Sequence, residues 1–99
     1  MLRDNSFPEG PLALDCEMVG VGEDCRSALA RVSVVDRSGT VLYDVMCRPD
    51  EDIVDYRTRW SGIRSSDMER AIPFESVQEQ VRRIVMVVHF CYVYVSLYI

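Results

Sequence analysis

Ninety-nine residues, 48 % apolar and 27 % charged, exclude a disordered chain and leave one small domain or a piece of a larger one. Sixteen acids against 11 bases give a formal charge of -5, which excludes the broad cationic surface of a general nucleic-acid or anionic-membrane binder. All 11 bases are Arg, whose planar fork suits phosphate, carboxylate and stacking contacts.

Residues 1–11 form a polar lead-in with Pro and Gly and lack the basic and apolar regions of a secretory leader, so no signal peptide is expected. Residues 12–19, LALDCEMV, are an apolar-rich strand candidate between Pro11 and Gly20. Gly20-Val21-Gly22 has no third glycine and no helix after it, and reads as a turn rather than a phosphate loop. In residues 28–36, ALARVSVVD, Ala30, Val32 and Val34 fall on one side at period two, DRSG at 36–39 has the Asp and Gly of a type I turn, and TVLYDVMC resumes a strand. A β-hairpin after a first strand follows from this. Residues 48–64 are charged and turn-rich, Ser66-x-x-Glu69 has capping-box spacing, and Phe74, Val77, Val81 and Ile84 mark one helical face just after Pro73.

Residues 84–99, IVMVVHFCYVYVSLYI, form an apolar tail in which only His89 and Ser96 are clearly polar. The run is shorter than the roughly 20 residues of a membrane helix, and its β-branched and aromatic bias favours strand. Arg82 and Arg83 just before it keep a tail-anchor reading open, with no membrane contact the preferred one. Cysteines at 16, 25, 47 and 91 show no C-x-x-C and no paired His, as expected of free thiols in a reducing compartment. His89 reads as a packed histidine.

Asp15 and Glu17 interrupt the apolar run, in company where an unpaired charge is costly. On a strand, i and i+2 share a face about 6–7 Å apart, so both carboxylates converge while Cys16 points away. A hard divalent ion such as Mg²⁺ or Mn²⁺ would relieve their repulsion, and a pair of ions is what two-metal phosphodiester hydrolysis uses. A solvated strand edge is the competing reading. Trp60 is read as core ahead of a base-stacking surface. Arg57, Arg59 and Arg64 suit either phosphate contact or an acid-paired face opposite Asp50, Glu51, Asp52 and Asp55.

The blocks LDCEMVGVG, LARVSVVDRSGTVLYDVMCRP and IVDYRTRWSGI, in that order, resemble the opening half of the DEDD-type 3′-to-5′ exonuclease superfamily. Within it the chain is similar to the group of interferon-stimulated 20 kDa exonuclease, apoptosis-enhancing nuclease and RNA exonuclease 4-like proteins. The resemblance implies an α/β, ribonuclease-H-like exonuclease fold, here incomplete: antiparallel β1-β2-β3, then a helix and a fourth strand parallel to the first, for which residues 84–88 are the candidate. Residues 12–83 would be the N-terminal part of that domain and 84–99 a divergent tail. It further implies catalytic and metal-binding roles for Asp15 and Glu17 with two Mg²⁺ or Mn²⁺ ions in the complete site. Met18 and Val19 would lie near the terminal nucleotide, and Arg57 would face the ribose. The implied partner is single-stranded nucleic acid, RNA ahead of DNA, and the implied location the nucleus or nucleolus, with the cytoplasm open. The family continues with Gly-His, an Asp five residues on, and a later His and Asp. Here Val88 precedes His89, Tyr94 stands five beyond it, and no acid follows Glu79. A truncated, inactive form of an exonuclease is therefore expected, the alternative being a non-catalytic fragment that binds nucleic acid or a partner.

Overall fold

A computed structural model describes residues 11–86 and 93–98. Strand β1 (Leu12–Val21) runs through the middle of a sheet with β2 (Arg26–Val35), β3 (Val41–Arg48), β4 (Ile53–Asp55), β5 (Ile72–Pro73) and β6 (Val93–Tyr98). The helices are a single turn, α1 (Thr58–Ser61), and α2 (Phe74–Met86), with a 3₁₀ segment at Ser65–Arg70 between them. β1, β2 and β3 pair antiparallel in chain order, β5 adds parallel to β3, and the other edge of β1 is shared by β6, parallel along 12–17, and β4, antiparallel at 20–21. This is the expected α/β architecture with three antiparallel strands first.

The DRSG turn closes the hairpin as its chemistry predicts. The Gly39 amide donates to the Asp36 carbonyl at 3.0 Å, and Gly39 takes the left-handed φ of 89° that an L side chain resists. Asp36 Oδ1 accepts from the Ser38 and Thr40 amides at 2.9 and 3.0 Å and from the Ser38 hydroxyl at 2.8 Å, the last chiefly holding its carboxyl below the ordinary range. At the other end, Gly22 turns at φ 73°, where the Cys25 amide returns to its carbonyl, whereas Gly20 and Val21, expected in the turn, are the last two residues of β1 and stay paired in the sheet.

Each sheet face has its own core. Even-numbered residues of β1 face α2: Cys16 packs with Val32, Cys47 and Val77, and Leu12 with Val34, Ile84 and Val85. Odd-numbered residues face the other way, where Val19 and Val21 pack with Ala30 and Ile63. A bulge separates the two sets. Glu17 pairs with Arg31 but Met18 with Leu29, so Ala30 is an extra residue on β2. This corrects the period-two reading of Ala30, Val32 and Val34: all three are buried, but Ala30 joins the Val19 and Ile63 side.

Two further expectations are corrected. The fourth strand does not occupy 84–88, because Ile84 and Val85 extend the apolar face of Val77 and Val81 and the helix runs on through Met86. The parallel partner of β1 is Val93–Tyr98, in register from Leu12 with Val93 to Glu17 with Tyr98. Residues 87 and 88, with His89 and Cys91, lie outside the described residues. The capping device is Asp67 rather than Ser66 and Glu69: its Oδ2 accepts from the Arg64 amide at 2.9 Å as the chain enters the 3₁₀ segment. Phe74, expected on the buried helical face, is 37 % exposed.

Ile63 is 1 % exposed and links the 49–70 segment to β1. Ile63→Ala is expected to lower the unfolding free energy by about 2–5 kcal/mol, whereas Val41→Ala, at a 61 % exposed position, should change it by no more than about 0.5 kcal/mol. Urea titration of both variants measures the difference, and equal midpoints would contradict this placement of the core.

Candidate metal and nucleic-acid site

Asp15 and Glu17 project from β1 on the face away from α2, as alternation requires, with buried Cys16 on the opposite face. One oxygen of each, Asp15 Oδ1 and Glu17 Oε1, is sealed from solvent and accepts no hydrogen bond among the described residues. Each residue as a whole stays partly open, so a sealed carboxylate oxygen coexists with access from outside. Leaving such an acceptor unmatched costs roughly 1–3 kcal/mol.

Burial, and next the charge of Asp15, push the Glu17 carboxyl above the ordinary range, while Arg31 opposes this. Arg31 lies directly across from Glu17 in the β1–β2 ladder, yet its fork is committed elsewhere: Nε and Nη2 donate to the two oxygens of Asp44 at 2.9 and 2.8 Å. Ser33, opposite both Asp15 and Asp44, donates to Asp44 Oδ1 at 3.3 Å. Arg31 therefore tempers the acid pair without hydrogen-bonding it. Beyond Arg31 the face opens into a groove of about 360 Å³ lined by Arg31, Asp44, Val45, Met46, Arg70 and Ile72. Two adjacent hard oxygens, buried and unmatched, are a donor set that fits a divalent cation such as Mg²⁺ or Mn²⁺. Among the described residues, no three or more His, Cys, Asp or Glu side chains are placed so that together they could hold a metal ion.

The remaining candidates sit further along β1. The Met18 side chain packs on the helix-facing side with Cys16 and Val77, and the Val19 side chain is fully buried with Ile63. Neither side chain joins the acids. The backbone of these two residues, however, falls between the end of β6 pairing at Glu17 and the start of β4 pairing at Gly20, where that edge of β1 has no partner among the described residues. Arg57 adopts a left-handed φ of 51°, and its guanidinium donates to Ser27 Oγ at 2.7 Å and the Cys25 carbonyl at 2.9 Å, across the turn that joins β1 to β2. A Cβ on Gly20 would collide with the Cys25 sulfur and meet that guanidinium at 3.2 Å, so glycine allows the close approach there.

Trp60 is not core. It is 64 % exposed, because Ser61 and Ile63 take the inward positions of its turn, with Ser61 Oγ donating to the Tyr56 carbonyl at 2.8 Å and accepting from the Ile63 amide at 3.0 Å. None of Arg57, Arg59 and Arg64 forms an ion pair among the described residues; Glu51, expected opposite them, pairs with Arg26. Arg82 and Arg83 both bind Glu79, and no helix among the described residues is long and apolar enough to cross a membrane. Cys16, Cys25 and Cys47 are free thiols, and burial pushes Cys47 up to about 11 and Cys16 upward. Sequence reading missed Arg31, Ser33 and Asp44 as neighbours of the acids; the signal was their odd-even phase in ARVSVVD and LYDVM, once the strand register is known.

Residues 12–89 match the RNase_T family of exonucleases. Apoptosis-enhancing nuclease of Rattus norvegicus is 53 % identical over 81 residues, 81 % of this chain and 24 % of that protein. Interferon-stimulated 20 kDa exonuclease-like 2 of Mus musculus is 49 % identical over 80 residues, 80 % and 22 % of the two chains, and RNA exonuclease 4 of Xenopus laevis is 50 % identical over 74 residues, 74 % and 18 %. The chain thus spans less than a quarter of the length of these relatives. The fold is similar to that of the RNA exonuclease module of Saccharomyces cerevisiae Pan2, solved with AAGGAA RNA, with a TM-score of 0.70 at 22 % identity, over 92 % of this chain and 18 % of that one.

Because burial and Asp15 raise Glu17 in the folded state, native protein holds that proton more tightly than unfolded chain, and metal-free stability falls as pH rises past the usual Glu value of 4.5. Metal-free Glu17→Gln is therefore expected to melt a few degrees above wild type at pH 7, with the gap closing below pH 4.5. Thermal melts across that range in EDTA check it, and a Glu17→Gln protein less stable at neutral pH would contradict the raised carboxyl.

Proposed function

This chain belongs to the RNase_T exonuclease family, and from that premise we propose that its site serves 3′-to-5′ cleavage of single-stranded nucleic acid, RNA ahead of DNA, with Asp15 and Glu17 holding divalent metal. The observation that carries the reading is the pair of sealed, unmatched carboxylate oxygens on one face of β1. A protein core does not keep two such acceptors without a partner, and a hard cation is the partner their chemistry fits. Relatives such as RNA exonuclease 4 and the RNA-bound Pan2 module support RNA as the substrate class.

When bound at such a site, a divalent ion supplies charge stabilisation at the phosphoryl group and a more acidic water. The chain's own residues fix where that happens. Strand alternation puts both carboxylates on one face, and the ladder to β2 holds their spacing. The Arg31–Asp44 fork keeps a cation beside the pair without closing its oxygens in a salt bridge. Contact with the terminal nucleotide is proposed to run through the main chain of Met18 and Val19, in the interval between β6 and β4, since their side chains are turned into the two cores. Arg57, braced on Ser27 and the Cys25 carbonyl, borders that interval from the β4 side and is proposed to face the ribose.

Asp15 and Glu17 are two of the four acids that the resemblance implies, and no acid follows Glu79. The 99 residues are accordingly proposed to bind metal and nucleic acid without turnover, since loss of an essential carboxylate leaves water or leaving group unassisted. With Mg²⁺ or Mn²⁺, residues 1–99 should degrade labelled single-stranded RNA no faster than Asp15→Ala, while calorimetry should show weak Mn²⁺ binding to wild type and none to Asp15→Ala. Equal heats in the two proteins would remove the metal site. Metal-dependent release of nucleotides that Asp15→Ala abolishes would show that a further ligand completes the site, His89 being the first residue to test.

A further inference from the structure

We infer that Trp60, with Arg59 over its ring and Arg64 four residues on in the chain, is a base-stacking surface that receives the single strand beyond the acid pair. The inference rests on the nucleic-acid reading above and goes beyond it by naming the residue that grips a base.

Trp60 stands on α1, a turn fixed from within. The Thr58 hydroxyl donates to the Ile63 carbonyl at 2.6 Å, Ser61 is buried, and Gly62 takes a φ of 72° to bring Ile63 down onto Val19 and Val21. Those two valines follow Asp15 and Glu17 on the same face of β1. The turn thus sits at the far end of the acid face, roughly 13 Å along the strand from Glu17 to Val21, a distance that a few nucleotides span.

The ring is left outside although Ile63, three residues on, is sealed. Its indole nitrogen makes no hydrogen bond among the described residues, and what lies against it is the Arg59 guanidinium, 5.4 Å from the ring centroid. The basic groups around it are not neutralised. Arg59 and Arg64 form no ion pair among the described residues, and the nearby acids are engaged otherwise: Asp55 accepts from the Arg57 amide, Asp67 from the Arg64 amide and the Arg70 side chain. An exposed π-face beside unpaired guanidinia, in a chain of net charge -5, is the combination that holds single-stranded nucleic acid by stacking and phosphate contact. A duplex, whose bases are already stacked, does not fit it.

Trp60 is the sole tryptophan, so its emission reports on this residue alone. Fluorescein-labelled oligouridylate is titrated into residues 1–99 in EDTA, following anisotropy of the label and emission of Trp60, in wild type and in Asp15→Ala. The expected result is quenching of Trp60 that tracks binding equally in both proteins, no quenching by duplex RNA, and binding about 5- to 100-fold weaker in Trp60→Leu but largely kept in Trp60→Phe. Arg59→Gln with Arg64→Gln should flatten the salt dependence of binding. Circular dichroism confirms that the variants fold. Binding with unchanged Trp60 emission, Trp60→Leu that binds like wild type, or no binding at all overturns the inference. Because metal is absent and Asp15→Ala is included, loss of the metal site and loss of the stacking surface read out separately.

Discussion

Two acids on one face of a central strand, each with an oxygen sealed from water and without a donor among the described residues, set the terms for everything around them. Such an arrangement is unfavourable by itself, and the surrounding structure is organised to bear it. Packing on both faces of β1 holds the strand on which the acids sit: Leu12 and Cys16 are clamped by α2 on one side, and Val19 and Val21 by Ile63 on the other. With β1 anchored on both faces, the two acids keep their place on the strand while each stays partly open to solvent.

The bulge at Ala30 is what allows an acid face and a core to lie on one side of the same strand. Up to Glu17 that side carries Arg31, Ser33 and Asp44 from the neighbouring strands; past it, Ala30 fills the space under Ile63. The Arg31–Asp44 fork marks the boundary. Its two near-parallel hydrogen bonds hold a cation at a fixed place, close enough to oppose the rise in Glu17 and too occupied to quench the pair. On the far side of that boundary, the same turn that seals Val19 leaves Trp60 outside, so one short segment both closes the core and presents an aromatic surface.

Much of this could be read from residue order, and the parts that could not share a cause. Period two placed Asp15 with Glu17 and Val32 with Val34, and the DRSG turn and the Val77, Val81, Ile84 stripe were legible from local chemistry. These depend only on neighbours in sequence. Ala30 was misplaced because a bulge is a property of two strands, invisible in either alone. The end of α2 was misjudged because Ile84 and Val85 suit a helix face and a strand equally, and only the spacing back to Val81 decides between them. Trp60 reads as core because a lone Trp in a small domain is more often buried, whereas the tight turn around Gly62 gives the inward position to Ile63. Arg31 and Asp44 were passed over because thirteen residues separate them and cross-strand register brings them together.

Metal is proposed to go to the acid pair rather than to any other acidic surface. A second acidic cluster, Glu23, Asp24, Glu51 and Asp52 around Gly22 and Arg26, offers a direct contrast. Amide NMR spectra of residues 1–99 during a substoichiometric Mn²⁺ titration separate the two by position. Broadening that begins at residues 14–18 of β1 and 31–33 of β2, before the 22–26 turn is affected, is the result this account predicts. Broadening that begins at 22–26 and 50–53 and leaves Asp15 and Glu17 sharp would contradict it.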